Sequence, residues 1–308
     1  MSLRGSMSLP ALALLGGLLP AGVLAEEFRW NWALNRSYLF AQSIDLTVVK
    51  TDRGKAYRDG VGLSQQIQTT VRRTTKGTTL HATFEKPRLL ASFTLNGLNK
   101  KYDSKDPGQA ESRRWKDARA DLARLRDAEV DTHFDAKGRV AEVDGLGTIP
   151  NLMALGDRAM MGLQCEAMVA FSTTFLPSNP VSPGDSWEVE LPEIYQQMLE
   201  LQGPVADTKY TVTVTFDKLV TRWKRQHASI SYRGSTDLAT VEDPDFPFAR
   251  FTISGKFLWE LQKGFEVESE QTLKYGVHPD LAKFVEKEGF AFEITSVAKQ
   301  RLAKVGKL

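Results

Sequence analysis

Few side chains in this sequence are placed to do chemistry, and each has a plainer use. Cys165 is the only cysteine. A thiolate nucleophile needs an electropositive, accessible setting and a partner base. Cys165 lies in an apolar segment with no histidine close in sequence, which fits a buried, inert thiol. Asp131, His133 and Asp135 alternate, so on a strand they project from one side. Glu142 or Asp144 on a partner strand would join them. A metal ion requires three or four ligands converging at fixed distances, and exposed hairpins are routinely this polar. The expectation is no metal and no cofactor. His81, His227 and His278 are isolated and read as surface residues.

No G-x-S-x-G, H-E-x-x-H, phosphate-binding loop or dinucleotide fingerprint occurs, so no catalytic residue is assigned. The chain reads as non-enzymatic. A hydrolase whose Ser, His and Asp residues converge from distant strands is the weaker alternative.

The most distinctive composition lies between Ile149 and Trp187. Met153, Met160, Met161 and Met168 are four of the five methionines that follow residue 25. At about 100° per residue, a helix over 151–175 gathers Leu152, Leu155, Gly156, Ala159, Leu163, Ala167 and Ala170 on one face. Met153, Met160, Met161, Met168, Phe171 and Phe175 gather on another. A helix apolar nearly all round is buried, and its small-residue face allows close approach to a sheet. Methionine adapts to variable apolar partners and also fills irregular core gaps. With Gln164 beside them, the Met and Phe residues are the candidate ligand-binding set. Core filling is the competing use.

Period-two alternation dominates the rest and predicts antiparallel strands with one polar face. Phe28, Trp30 and Trp32 begin it, and Tyr38, Phe40, Ile44, Leu46 and Val48 continue. Leu63, Ile67 and Val71 follow, then Leu80, Ala82 and Phe84. Pro87 marks an edge or a bulge before Leu89, Ala91, Phe93 and Leu95. Val130 to Phe134 and Arg139 to Val143 form a hairpin. Later strands centre on Tyr210 to Phe216, Ala228 to Tyr232, Phe251 to Trp259, Phe265 to Tyr275 and Phe290 to Ile294. Pro107 to Arg126 predicts a charged surface helix with a stripe of Trp115, Ala118, Leu122 and Leu125. Asp280 to Glu288 predicts a short helix. Pro183-Gly184 suits a type II turn.

The expected fold is α+β, predominantly β: a large curved, half-barrel-like antiparallel sheet packed on one central apolar helix. The two β halves flank that helix as a divergent duplication would. Residues 1–25 carry Arg4, an apolar run and Val23-Leu24-Ala25, the pattern of a cleaved signal peptide. Residues 26–308 then form one domain, exported to the periplasm or beyond. No later segment is long and apolar enough to span a bilayer as a helix. A formal net charge of +2 excludes a global pull towards nucleic acid. The basic C-terminal residues Lys299, Arg301, Lys304 and Lys307 read as a solvated, frayed tail.

Four short marks, R-W-N-W at 29–32, Tyr102-Asp103-Ser104, D-A-K-G-R-V at 135–140 and L-P-S-N-P-V-S-P-G-D-S-W at 176–187, carry a resemblance. In them the chain resembles a family of exported bacterial proteins known as a domain of unknown function. The resemblance implies export and brings no catalytic residues. The expected role is an exported binding or envelope-interaction protein. Its partner would be a hydrophobic, lipid-like small molecule or an envelope protein. The alternative is a structural or protein-interaction module with a filled core.

Overall fold

The computed structural model describes residues 25–26, 28, 33–52, 55–95, 98–106, 108, 113–134, 140–145, 148, 175–190, 211–237, 250–276 and 290–307. They form twelve strands and one helix: β1 (Arg36–Asp52), β2 (Lys55–Thr74), β3 (Gly77–Leu95), β4 (Leu98–Asp103), α1 (Arg113–Arg126), β5 (Glu129–Phe134), β6 (Val140–Asp144), β7 (Ser186–Glu190), β8 (Thr211–Arg222), β9 (Arg225–Asp237), β10 (Arg250–Glu260), β11 (Phe265–Gly276) and β12 (Phe290–Lys307).

The strands make a single antiparallel sheet in the order β6-β5-β3-β2-β1-β12-β11-β10-β9-β8-β7, with β4 pairing the far end of β3. The path is open, and its two ends are β6 and β7. The chain therefore starts at the centre, runs out to one edge, resumes at the other edge and returns to the centre. There β1 and β12 pair from Arg36↔Lys307 to Asp52↔Phe290. The predicted β halves lie side by side in one sheet.

Alternation builds one buried face. On β1, Tyr38, Phe40, Ile44 and Leu46 are buried while Ala41 and Asp45 between them are exposed. Their cross-strand neighbours keep the parity: Phe40 opposes Ile67, Ile44 opposes Leu63 and Leu46 opposes Val61. Two apolar clusters result. One joins β1, β2, β3 and β5 to the buried stripe Ala118, Leu122 and Leu125 of α1. The other joins β8, β9, β10 and β11 to Leu46, Ile294, Phe28 and Phe175.

Tight turns close the hairpins. Trp223 and Lys224 both have positive φ (48° and 61°) between the paired Arg222 and Arg225, as a two-residue type I′ loop requires. Arg222 lies over the Trp223 ring at 5.8 Å and the His227 ring meets it edge-on, contacts that hold bulky residues where glycine or asparagine is usual.

Several sequence expectations change. β3 is one strand where two were expected. Ser64 pairs Arg88 and Gln66 pairs Glu85, so Lys86 and Pro87 bulge opposite Gln65. Lys86 takes φ 51° there, and the missing Pro87 amide breaks the ladder without ending the strand. The Lys299–Lys307 segment is no frayed tail. It is the C-terminal part of β12, a central strand, because every residue but the bulged Ala303 pairs β1, and Lys299 and Arg301 alternate with Ala298, Gln300 and Leu302. His227 is buried, with Nδ1 donating to the Arg225 carbonyl at 3.1 Å, and His81 is buried against Asp131. Neither is an isolated surface residue. α1 is described over Arg113–Arg126, and residues 107 and 109–112 lie outside the described residues. The Asp106 carboxylate accepts from the Gly108 amide. The predicted helices over 151–175 and 280–288 lie outside the described residues.

Candidate functional site

The largest chemical feature is the apolar face, whose two clusters extend over both halves of the sheet. Alternation alone puts it on one side, and a right-handed twist distorts it from flatness. Near its middle the polar pair Gln42 and Gln65 sits directly in register on β1 and β2. Gln65 Nε2 donates to Gln42 Oε1 at 2.5 Å, and both side chains are buried. Gln300 of β12 opposes Gln42, and Ser269 of β11 opposes Gln300. A polar row four strands wide thus crosses the apolar surface, which also buries Gln271 and Ser296. Tyr38 lies nearby; burial pushes its phenol pKa up, and the hydrogen bond from the Ala33 amide opposes that shift.

The second cluster is closely packed. Phe175 stacks on Tyr232 with centroids 4.7 Å apart and planes 6° from parallel. Trp187 Nε1 donates to the Phe175 carbonyl at 3.1 Å. Tyr232 also lies across Gly255, its register partner, where an added Cβ would meet the phenol oxygen at 2.0 Å. Glycine is required there so that the ring can lie against the backbone.

A second arrangement brings together residues singled out for metal chemistry. His133 Nδ1 meets Thr79 Oγ1 at 2.8 Å and its Nε2 meets Asp144 Oδ2 at 2.9 Å. Asp131 bonds His81 Nδ1 at 2.8 Å. His133, Glu142 and Asp144 lie close enough to share an ion. The Lys76 ammonium, however, already bonds Glu142 at 2.8 Å and Asp144 at 3.0 Å. These bonds, Glu142 first, raise the Lys76 pKa. Lys76 and then His133 lower that of Asp144. A lysine between two carboxylates supplies part of the charge a cation would bring and engages an oxygen of each. Asp135 lies outside the described residues.

The same atoms form a hydroxyl–imidazole–carboxylate chain, Thr79–His133–Asp144. Geometry argues against nucleophilic use. Thr79 is 2% exposed, and its hydroxyl also bonds Thr74 Oγ1 at 3.0 Å. A substrate has no approach to it.

The short sequence marks have structural work. Tyr102 is buried; Asp103 takes a two-pronged bond from Arg88, at 3.1 and 2.6 Å. The Leu89 amide donates to Ser104 Oγ at 2.9 Å. Together they clamp the end of β4 to the second half of β3. In the second mark Val181 exchanges both backbone bonds with Glu26. The Asp185 amide donates to the Ser182 carbonyl, and Gly184 has φ 98°, as the type II turn predicted for Pro183-Gly184 requires. The marks at 29–32 and most of 135–140 lie outside the described residues.

No family model and no curated protein matches the chain. Similarity is found in structure. A solved structure of lipovitellin, a study of its lipid–protein interactions, aligns with a TM-score of 0.52 at 12% identity. The fold is lipovitellin-like. The alignment covers 91% of this chain and 26% of that one, so the chain spans about a quarter of lipovitellin's length. A Bacteroides fragilis protein with a YmcC-like fold aligns at 11% identity and a TM-score of 0.24, over 91% of this chain and 99% of that one. An outer-membrane channel from Pseudomonas putida aligns at 7% and 0.18, over 92% and 99%. Neither of these two carries an argument.

Among the candidate ligand-binding residues, Phe175 is described, fully buried in the second cluster. Met153, Met160, Met161, Gln164, Met168 and Phe171 lie outside the described residues, as does Cys165. No helix among the described residues is long and apolar enough to cross a membrane. The Gln42–Gln65–Gln300–Ser269 row was missed from the sequence, because a polar residue on the apolar parity reads as local noise until register aligns the strands.

Proposed function

We propose that the protein is an exported, non-enzymatic binding protein whose open sheet accepts a lipid-like ligand on its apolar face. One observation carries the reading. Asp144 and Ser186, consecutive along the strand order of the chain, end and begin the opposite edge strands of the sheet. The segment between them is the apolar, methionine-rich stretch. An eleven-strand path is about 48 Å wide when flat, and a helix over 151–175 would be about 37 Å long. In this reading that helix crosses the apolar face of a half-barrel-like sheet. Its Leu and Ala residues lie on the sheet, Met153, Met160, Met161, Gln164, Met168 and Phe171 line the space for acyl chains, and Phe175 is packed in the second cluster at its end. The lipovitellin-like fold supports the reading by analogy alone. The resemblance of the short sequence marks to an exported bacterial family and the apolar N-terminal segment support export to the periplasm or beyond, with residues 26–308 as one domain.

Native mass spectrometry of protein purified from its own envelope fraction tests the proposal. Bound mass in the lipid range is expected, with displacement of an apolar dye by fatty acids. Consistently bare protein that displaces no dye would sink it.

A second reading, a structural or protein-interaction module with a filled core, draws on the stacked Phe175 and Tyr232 rings. There the methionines are packing. Met160→Ala and Met168→Ala would then each lower stability by about 2–5 kcal/mol, against small losses if they line a pocket.

A further inference from the structure

A trough of about 560 Å³ lies over the charged rows of β8 to β12, and Gln42, Gln300, Ser269 and Phe257 also border it. Two rows of residues cross it in register. In the first, Lys218 opposes Ser229, which opposes Leu258, then Glu268, then Arg301. In the second, Ser231 opposes Lys256, then Glu270, then Lys299. All but Ser231 line the trough, with Arg222.

The trough is walled on one side by an unusual reach. Arg222 of β8 bonds Glu268 of β11 at 2.5 Å, over the intervening β9 and β10. Three strand spacings are about 14 Å in a flat sheet, too far for the two side chains. The right-handed twist lifts the β8–β9 hairpin end towards the trough and brings Arg222 over it.

Charge in the trough is unbalanced. Glu268 is held by Arg222, and Glu270 lies between Lys256 at 3.8 Å and Lys299 at 3.7 Å. Five cationic side chains thus line the trough with two carboxylates; the Asp217 carboxylate, which accepts from Ser229 and Ser231, adds a third at its rim and leaves two positive charges in excess. Lys218 and Arg301 have no carboxylate partner among the described residues. A solvated sheet face normally interleaves its signs. Like charges gathered in a concave site focus potential and raise the local concentration of anions. Arginine offers a planar fork and lysine a mobile point charge, the pair of donors suited to phosphate oxygens.

We propose that this trough binds a phosphate-bearing anion, held by Lys218, Lys299 and Arg301. Its cationic side chains are not those of the lipid-like reading, so the site stands whether or not the apolar face takes lipid. The phosphate belongs either to a soluble molecule or to a lipid headgroup presented at a membrane surface.

Two probes at low ionic strength distinguish the sources: sodium pyrophosphate by calorimetry, and phosphatidylglycerol/phosphatidylcholine vesicles by co-sedimentation. Binding of pyrophosphate alone identifies a soluble phosphate. Vesicle binding that pyrophosphate displaces identifies a lipid headgroup. In either case Lys218→Ala and Arg301→Ala should each weaken binding about tenfold, the loss of a bond between charged groups. Glu270→Gln should strengthen it. Lys263→Ala, in the β10–β11 turn outside the trough, should leave it unchanged. Thermal midpoints of the lysine and arginine variants check that the fold is intact, as neither residue holds an ion pair that the sheet needs. Absence of binding to both probes overturns the proposal. So does binding that Lys218→Ala and Arg301→Ala leave at the wild-type level.

Discussion

Gln65 donates its side-chain amide to Gln42 across β1 and β2, at 2.5 Å and buried on both sides, in the middle of the sheet's apolar face. The pair lies beside the Pro87 bulge, where Gln65 is the single residue opposing Lys86 and Pro87. A register slip by two residues would keep the apolar parity but part the two amides. The row therefore specifies register where apolar side chains alone would tolerate a slip.

Gln42→Ala removes the acceptor and should lower stability by about 1–3 kcal/mol, the range for disturbing a buried polar pair. Gln42→Leu with Gln65→Leu should recover most of that loss. Urea unfolding of the two single variants and the double variant measures the coupling; additive losses would show that the pair is not a unit.

Gly255→Ala should destabilise by about 1–3 kcal/mol through overpacking. The new Cβ would lie 2.0 Å from the Tyr232 phenol oxygen and 2.5 Å from the Glu270 carbonyl. Adding Tyr232→Ala relieves only the first of these contacts, so a calorimetric double-mutant cycle should show partial rescue.

Arg88 holds the Asp103 carboxyl at about 2, below its usual value, chiefly through the two-pronged hydrogen bond. A depressed carboxylate stabilises the fold above its unfolded pKa, and that contribution is lost as pH falls towards the folded value. Between about pH 4 and pH 2, stability should therefore fall less steeply in Arg88→Ala than in the wild type. Acid titrations followed by circular dichroism compare the slopes. Equal slopes would mean that the clamp adds nothing to acid sensitivity.

The methionine prediction bears on function. Met160→Ala and Met168→Ala should each change stability by less than Phe175→Ala, for which removal of a buried aromatic ring costs about 3–5 kcal/mol. Losses in the methionine variants as large as that of Phe175→Ala would favour the filled core.

Much of the sheet was legible because alternation is a local signal. Tyr38, Phe40, Ile44 and Leu46 share one parity, and the structure buries them together. Pro87 announced a bulge for a physical reason, its missing amide, and the bulge is there. β4 was missed although Asn96-Gly97 precedes it, a hairpin signal, because its Lys100 and Lys101 interrupt the alternation. Strand order was not legible at all. That β12 returns to pair β1 depends on contacts across nearly the whole chain, so the basic residues of its C-terminal part read as a tail. The His81–Asp131 pair was hidden likewise, because its partners come from separate strands. The hairpin pattern did set Asp144 beside His133. The charged trough needed both register and twist, which no window of sequence contains.

The central claim is that the apolar face carries a lipid-like ligand, and native mass spectrometry of the protein taken directly from its envelope fraction tests it most directly. The account predicts a lipid-range adduct that survives purification and is lost on competition with added fatty acid. Protein of bare polypeptide mass in repeated preparations, together with no displacement of an apolar dye, would contradict it.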